Sequence, residues 1–314
     1  MFPELINEIV AGEELEVVHV IRNGPRYWVG KVRRGEENLI LKAVIGDEPW
    51  KSPISGTSFR PSDQLRAEIL TLRALNRLGN SLAGTVPTLG ASSTEPSTWT
   101  LRSVVGGDDM SGTIGPFIFH PRFFQTVSVT SLIDYILSYQ RLTPELYDFL
   151  IKTPHTDQTD LASKMVIGDL DNPMDYLATR SKRVNEYLVN RIPLHDAQTN
   201  MLSHGEVYPP HIFFDEGQIC FIDWENASLN NPMSDLASVW VRAFNNPEWQ
   251  AAFQLELWQR KLMEVPGMEE IWDIEVVFQS SCSLNYLYWS QIESLEEKLL
   301  AVTMMGRNID RILG

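Results

Sequence analysis

Three things are scarce in this sequence: cysteine, positive charge and long apolar runs. It contains two cysteines, Cys220 and Cys282, which excludes a disulfide scaffold and a four-cysteine zinc site. No stretch approaches the roughly 18 apolar residues that a transmembrane helix needs. The first residues carry no basic segment ahead of an apolar one, so we expect no signal peptide and a cytoplasmic protein.

The shortage of positive charge also limits the partners. There are 26 Lys plus Arg against 41 Asp plus Glu, a net charge of −15 over 314 residues. Such a chain repels nucleic-acid phosphates and anionic lipid, so we expect neither nucleic acid nor a membrane surface as a partner. A cationic small molecule would be tolerated or attracted. Acidity alone, however, more often only keeps a protein soluble.

The residue pattern changes near Gly106. Residues 1–105 are mostly short β-like segments, including a predicted hairpin from 16–21 and 27–32, with one helix that Ser62 would cap and Gly79 would end. Residues 106–314 are mainly helical, with periodicity at 131–152 and 174–191 and one β-like island at 204–223. The sequence therefore predicts a two-lobed α+β protein with a β-rich lobe at 1–105 and a larger helical lobe at 106–314.

Two charged residues stand where charge is costly. Lys42 lies in the run 39–45, which is apolar on both faces, and Glu68 lies in the inward stripe of the helix between Leu65 and Leu72. Either Lys42 reaches water from an edge strand, or it meets Glu68, because a buried ammonium needs a partner. Such a pair can aim the ammonium at a ligand phosphate, or it can be a purely structural ion pair.

Asp223 closes the apolar run 219–222 and precedes Trp224 and Glu225. A carboxylate at the end of a buried strand can hold a hard cation such as Mg²⁺ through oxygen. The common alternative is an aspartate that caps a turn.

Three linked motifs match one family. They are HGEVYPPHIFFD at 204–215, IDWENA at 222–227 and PMSDLA at 232–237. Their order and spacing resemble the phosphotransferases of the aminoglycoside and choline kinase group, which have a protein-kinase-like fold. The usual family pattern is His-Gly-Asp, four residues and Asn, then Ile-Asp-aromatic-Glu, then Pro and Asp-Leu-Ala. The resemblance extends over nearly the whole chain and is sharpest between 204 and 237.

The resemblance implies that the lobe at 1–105 binds ATP or GTP. Lys42 would orient the α- and β-phosphates, and Glu68 would hold Lys42 in place. Val105 would lie in the hinge beside the nucleotide. The glycine-rich loop is a weak match, because only Gly24 and Gly30 are available in the first hairpin.

The resemblance also assigns the lobe at 106–314 the catalytic loop and the acceptor site. Asp223 would bind Mg²⁺, with Mn²⁺ as the alternative, and Glu225 would add an oxygen ligand. Asp235 would brace the catalytic loop, and His204 would be a structural residue that hydrogen-bonds it. The implied reaction is transfer of the nucleotide γ-phosphate to a hydroxyl of a small molecule.

Two positions depart from the family pattern: Glu206 replaces the catalytic Asp, and His211 replaces the metal-binding Asn. One hypothesis is an active enzyme in which Glu206 is the base and His211 joins Asp223 and Glu225 at the metal. A second is a pseudokinase, which binds a nucleotide or another ligand without turnover. A third takes His204, Glu206 and His211 as a transition-metal site. The zinc deaminase version of the third is excluded, because it needs a Pro-Cys-x-x-Cys segment.

The acceptor would lie between the catalytic loop and the C-terminal helices. These helices are rich in acidic residues and contain Trp240, Trp249, Trp258, Trp272 and Trp289. Acidic and aromatic side chains together can hold a cationic amine. The alternative is solvated helix faces with the tryptophans in the core.

Overall fold

The structure is a computed structural model that describes residues 3–51, 58–79, 82–112, 115–141, 180–215, 217–289 and 295–314. The two helices that we predicted at 131–152 and 174–191 fall partly outside these ranges. Their described parts, Val129–Gln140 and Ser181–Val189, are helical.

An antiparallel sheet forms the centre of the N-terminal part. Its strands are β1 (Glu16–Asn23), β2 (Tyr27–Arg34), β3 (Glu37–Val44), β6 (Leu89–Ser93) and β7 (Trp99–Ser103), and two short strands, β4 (Trp50–Lys51) and β5 (Ser58–Phe59), pair separately. The sheet order is β1-β2-β3-β7-β6, which confirms the hairpin predicted from the sequence. β3 has a neighbour on each side, so the edge-strand explanation for Lys42 is wrong.

Two helices pack on this sheet. The first, α1 (Glu4–Gly12), was not predicted, and it buries Ile6 and Ile9 against sheet residues that include Trp28. The second, α2 (Pro61–Leu78), begins one residue before the N-cap that we predicted. Ser62 instead lies in its first turn and binds Asp47 through both its backbone N–H and its hydroxyl. Gly79 ends the helix as expected.

The rest of the chain is mainly helical. Its helices are α3 (Pro121–Thr126), α4 (Val129–Gln140), α5 (Ser181–Val189), α6 (Ile192–Ala197), α7 (Ser234–Arg242), α8 (Pro247–Gln259), α9 (Met268–Trp289) and α10 (Leu295–Leu313). Its strands are β8 (Asp108–Asp109), β9 (Ser111–Gly112), β10 (Gly115–Phe119), β11 (Met201–Ser203), β12 (Ile212–Asp215), β13 (Gln218–Phe221) and β14 (Ser228–Asn230). Aromatic and aliphatic side chains of these elements form one large core. Within the described ranges, no helix is long and apolar enough to cross a membrane.

The chain leaves the large sheet after β7 and runs against β12. Gly107 has a φ of +74°, and a Cβ atom there would lie 2.4 Å from the carbonyl oxygen of Phe214. Only glycine meets both conditions without strain. The next residues, in β8, pair with β12. A sheet lobe and a helical lobe together confirm the predicted α+β class, while the boundary at 105/106 stays a prediction.

Candidate active site

The site is centred on Lys42, whose ammonium is enclosed by three carboxylates. The Nζ atom lies 2.8 Å from Glu68 Oε2, 2.6 Å from Asp223 Oδ1 and 2.6 Å from Glu225 Oε2. The side chain of Lys42 is 5% exposed and that of Glu68 is 0% exposed. The predicted contact between Lys42 and Glu68 is therefore confirmed, and two residues from the second lobe complete the enclosure.

The charges in this enclosure determine its protonation. Burial alone would lower the pKa of Lys42, but the carboxylates of Asp223, Glu225 and Glu68 outweigh burial and raise that pKa well above its ordinary value. Burial opposes ionisation of Asp223, but Lys42, His211 and Arg102 bring its pKa below the ordinary range. Burial raises the pKa of Glu225 despite the attraction of Lys42. The ammonium and the Asp223 carboxylate are therefore both charged at neutral pH.

Asp223, whose carboxylate contacts Lys42, has an unusual backbone conformation. Asp223 follows β13 and adopts a left-handed conformation with φ 64° and ψ 57°. Aspartate tolerates this conformation better than most residues, although it still costs free energy. Its side chain does not cap the following 3₁₀ turn, Trp224–Asn226. The turn-capping alternative is therefore wrong for this carboxylate.

Asp235, at the start of α7, holds the loop that begins at His204. Its Oδ2 accepts hydrogen bonds from the backbone N–H of His204 at 2.8 Å and the Tyr139 hydroxyl at 2.7 Å. Its Oδ1 accepts hydrogen bonds from the Ser203 hydroxyl at 2.8 Å and the backbone N–H of Gly205 at 3.2 Å. Four donors satisfy a carboxylate that is otherwise buried, which fixes the backbone ahead of Glu206.

His204 uses both ring nitrogens within the loop. Its Nε2 lies 2.8 Å from the carbonyl oxygen of Ile222, which can only accept, so Nε2 carries the proton. Its Nδ1 accepts a hydrogen bond from the backbone N–H of Glu206 at 3.3 Å. Burial lowers the pKa of His204 to about 3, so the ring stays neutral. With both nitrogens engaged, His204 has no lone pair for a metal, and the hypothesis of a His204–Glu206–His211 transition-metal site is wrong.

Glu206 follows this fixed backbone and is half-buried. Burial raises the pKa of its carboxyl group to about 7, and the negative charges of Asp223 and Glu225 act in the same direction. His211 and a hydrogen bond with Asn226 act in the opposite direction without reversing the shift. A carboxyl group that titrates near neutral pH is well suited to general-base chemistry.

His211 turns its free nitrogen toward Asp223. Its Nδ1 donates to the carbonyl oxygen of Glu206 at 2.9 Å, so Nε2 is the ring nitrogen that can bind a metal ion. Nε2 lies 3.7 Å from Asp223 Oδ2, too far for a hydrogen bond. An imidazole nitrogen and a carboxylate oxygen that face each other at this distance can both act as ligands of one divalent cation. Tyr208 stacks on the ring at 5.8 Å between centroids.

Several polar residues join the site without having been predicted. Gln64 donates from Nε2 to Asn226 Oδ1 at 2.9 Å and so ties α2 to the turn after Asp223. The ring centroid of Tyr27 lies 5.1 Å from Lys42 Nζ, and its hydroxyl donates to the carbonyl oxygen of Pro61. Gln64 lies four residues before Glu68 on the same buried face of the helix, so its place in the site could have been predicted from the sequence.

The two remaining predicted nucleotide contacts are Gly24 and Val105. Gly24 lies in the turn between β1 and β2, where its N–H donates to the carbonyl oxygen of Tyr27 at 3.0 Å. Val105 follows β7 and is half-buried. Their roles toward a nucleotide stay predictions.

The tryptophans of the helical lobe are mostly structural. Trp240, Trp249 and Trp272 are buried in the large core, whereas Trp258 is 44% exposed. The side chain of Trp289 lies outside the described part of the chain. Trp258 lines a cavity of about 350 Å³ together with acidic residues, but Arg311 also lines it. Core packing therefore accounts for three of these residues.

Comparisons with known proteins bear on the fold of the chain. The model of a family described as phosphotransferase enzyme family matches residues 129–271. No curated protein matches the sequence. A mutant aminoglycoside 2'-phosphotransferase-IIIa in its GDP complex has 14% identity and a TM-score of 0.61, over 99% of this chain and 98% of that chain.

Two further structures have the same fold. A thermostable mutant of aminoglycoside phosphotransferase APH(4)-Ia, in a ternary complex with ADP and hygromycin B, has 10% identity and a TM-score of 0.58, over 99% of this chain and 98% of that chain. A macrolide 2'-phosphotransferase type I has 16% identity and a TM-score of 0.57, over 95% and 94%. These matches confirm the resemblance to the aminoglycoside phosphotransferase group that the motifs indicated, and the chain has the two-lobed kinase-like fold of these enzymes.

Proposed function

We propose that this protein transfers the γ-phosphate of ATP or GTP to a hydroxyl group of a small molecule. The observation that carries the proposal is the enclosure of Lys42 by Glu68, Asp223 and Glu225, next to a loop that holds Glu206. A buried cation, metal-ligand oxygens and a carboxylate that can orient the nucleophile are the parts that proteins use for phosphoryl transfer. The GDP and ADP complexes of two similar proteins support a nucleotide donor.

Lys42 and Glu68 act on the nucleotide. A buried ammonium binds phosphate oxygens strongly, because it is screened from water. Glu68 keeps the ammonium in place through its contact at 2.8 Å. Lys42 then exchanges its contacts to the other two carboxylates for contacts to phosphate.

Asp223, Glu225 and His211 would hold a divalent cation. Bound there, the cation would neutralise the phosphate charge that develops during transfer. The carboxylates suit Mg²⁺, whereas imidazole suits Mn²⁺ and other transition metals better. The donor set therefore favours Mn²⁺ over Mg²⁺.

Glu206 accepts the proton of the acceptor hydroxyl, and the hydroxyl oxygen attacks the γ-phosphorus as the bond to the β-phosphate oxygen breaks. The backbone on which Glu206 stands is fixed by Asp235 and His204. The fixed backbone limits misplacement of the longer glutamate side chain, which matters because an error of about 1 Å can cost about 10²-fold in rate.

Thermal melting with ATP or GTP, each with Mg²⁺, Mn²⁺ or EDTA, tests the nucleotide part of this proposal. A ligand at about 100 times its Kd should stabilise the folded state by about 2.7 kcal/mol. We expect a shift that depends on the metal. The proposed function would be contradicted if neither ATP nor GTP caused a shift with any metal.

Replacing His211 with Asn restores the family residue and tests its contact with the metal. We expect the wild-type protein to bind or turn over nucleotide better with Mn²⁺ than with Mg²⁺, and His211→Asn to lose that preference. The matched control is His120→Asn, because His120 is exposed and caps α3. An unchanged Mn²⁺ to Mg²⁺ ratio in His211→Asn would show that the imidazole is not a ligand.

A pseudokinase is the second candidate, and the observation that favours it is the position of His211. An imidazole nitrogen, Nε2, faces Asp223 Oδ2 at 3.7 Å where the family has an amide oxygen. The double variant Glu206→Asp, His211→Asn restores both family residues. Turnover that occurs only in the double variant would identify the natural protein as a pseudokinase, whereas comparable turnover in both would identify it as an enzyme.

The acceptor is proposed only as a small molecule with a hydroxyl group. One similar protein is a macrolide 2'-phosphotransferase, and another was solved in a complex with ADP and hygromycin B. A net charge of −15 is compatible with a cationic acceptor. A screen of hydroxylated amines and neutral hydroxylated compounds, read as ADP or GDP release, separates these classes.

A further inference from the structure

One buried charge near the site has no part in the reaction described above: Arg102 on β7. The register pairs Lys42 with Thr100 and Ile40 with Arg102, so Arg102 stands on the face of the sheet that carries Lys42. Its side chain is 8% exposed. An arginine in the middle of a sheet, beneath a helix, is costly unless something requires its charge.

The guanidinium group lies beside the enclosure, and two of its nitrogens are unsatisfied within the described ranges. Among the described residues, Arg102 Nε and Nη1 are buried and have no hydrogen-bond partner. Nη1 lies 3.4 Å from Glu68 Oε1, and this oxygen also accepts no hydrogen bond within the described part of the chain. The charge of Arg102 contributes to the low pKa of Asp223, so it acts on the same cluster.

Glu68 therefore lies between two cations. One oxygen contacts Lys42 Nζ at 2.8 Å, and the other faces Arg102 at 3.4 Å. Glu68 is completely buried, so a loss of charge compensation there would be expensive. Lys42 donates hydrogen bonds to all three carboxylates of the enclosure. A nucleotide phosphate would draw part of the Lys42 charge away from Glu68.

We propose that Arg102 is a positioning residue for nucleotide binding: it compensates the charge of Glu68 when the phosphates share the charge of Lys42. This inference rests on the proposed function. The rigid fork of a guanidinium suits this role, because a small shift can bring one or two N–H groups onto the free carboxylate oxygen. Arg102 acts on the nucleotide only through Glu68 and does not touch the nucleotide.

A double-mutant cycle on nucleotide affinity tests this inference. Titration calorimetry with the metal–nucleotide complex that best stabilises the wild-type protein gives Kd for four proteins: wild type, Arg102→Met, Glu68→Gln and the double variant. We expect Arg102→Met to raise Kd by about tenfold, a loss of about 1.4 kcal/mol. In the Glu68→Gln background there is no carboxylate to compensate, so the same change should alter Kd by less than about twofold.

The controls separate this role from a structural one and from direct contact. Arg33→Met on the exposed face of β2 should leave Kd unchanged. If Arg102→Met does not fold, Arg102→Gln replaces it in the cycle, because it removes the charge and keeps polar groups. An equal loss of affinity in the wild-type and Glu68→Gln backgrounds would overturn the inference, as direct contact or general packing would give that result. Absence of nucleotide binding in the wild type would overturn the proposed function and this inference together.

Discussion

Glu206→Gln should lose turnover by roughly 10²- to 10⁴-fold, the range that a general base contributes, while Kd for the nucleotide stays nearly unchanged. Glutamine keeps the size of the side chain and its hydrogen bond with Asn226, but it cannot accept a proton at neutral pH. Transfer of the γ-phosphate to water, measured as ADP or GDP release, supplies a readout before an acceptor is identified.

The matched variant is Glu206→Asp, which restores the residue that the family motif has at this position. It keeps the carboxylate and should retain measurable turnover, whereas the glutamine variant should not. Equal activity of wild type and Glu206→Gln would remove Glu206 from the catalytic step and leave only a role in packing the loop.

The raised pKa of Glu206 also predicts how the stability of Glu206→Gln should depend on pH. Burial raises that pKa to about 7 from its ordinary 4.5, so the folded state holds a proton that the unfolded chain has already released. Stability therefore falls as the pH rises through about 7, and Glu206→Gln does not share this loss. The melting temperature of the variant relative to wild type should rise with pH. Turnover of the wild type should rise over the same range, because only the ionised carboxylate accepts a proton.

The centre of the site was predictable from the sequence, because two charged residues lie in segments that are otherwise apolar. Lys42 in an apolar run and Glu68 in an apolar helical stripe each required an explanation, and one contact supplies both. The position of Asp223 at a strand end was also predictable. Its contact with Lys42 was not, because 181 residues separate the two and only the packing of the lobes brings them together.

Other features have no distinctive local signal. Nothing in the segment 99–103 distinguishes Arg102 from an arginine on a solvated strand face, because its burial depends on α2 lying over the sheet. The unpredicted helix α1 is short, and only its packing against Trp28 and its neighbours stabilises it. Ser62 was predicted as an N-cap from propensity, but a nearby carboxylate, Asp47, binds it instead. In each case a tertiary contact determines the local structure.

The largest effect on stability is expected for Lys42→Met. The ammonium is the common partner of Glu68, Asp223 and Glu225, and its loss leaves three buried or half-buried carboxylates together. Breaking a buried ion pair by removing one partner costs about 3–5 kcal/mol, and here one change breaks three contacts. Urea unfolding should therefore show a free energy of unfolding lower by about this amount at neutral pH. Lys31→Met, a change of the same type on the neighbouring strand β2, should stay within about 0.5 kcal/mol of wild type.

The pH dependence distinguishes this electrostatic cause from lost packing. In the wild type the pKa of Asp223 is depressed, so its ion pair adds stability above the ordinary carboxyl pKa and loses it as the pH falls. Without the ammonium the pKa values of the clustered carboxylates should rise, so the variant should lose stability as the pH increases between about 5 and 8. The gap between the two proteins should therefore widen with pH. A stability difference that stays constant with pH would mean that Lys42 contributes mainly through its aliphatic chain. Equal stability of the two proteins at about pH 8 would mean that the enclosure of Lys42 contributes little to the stability of this fold.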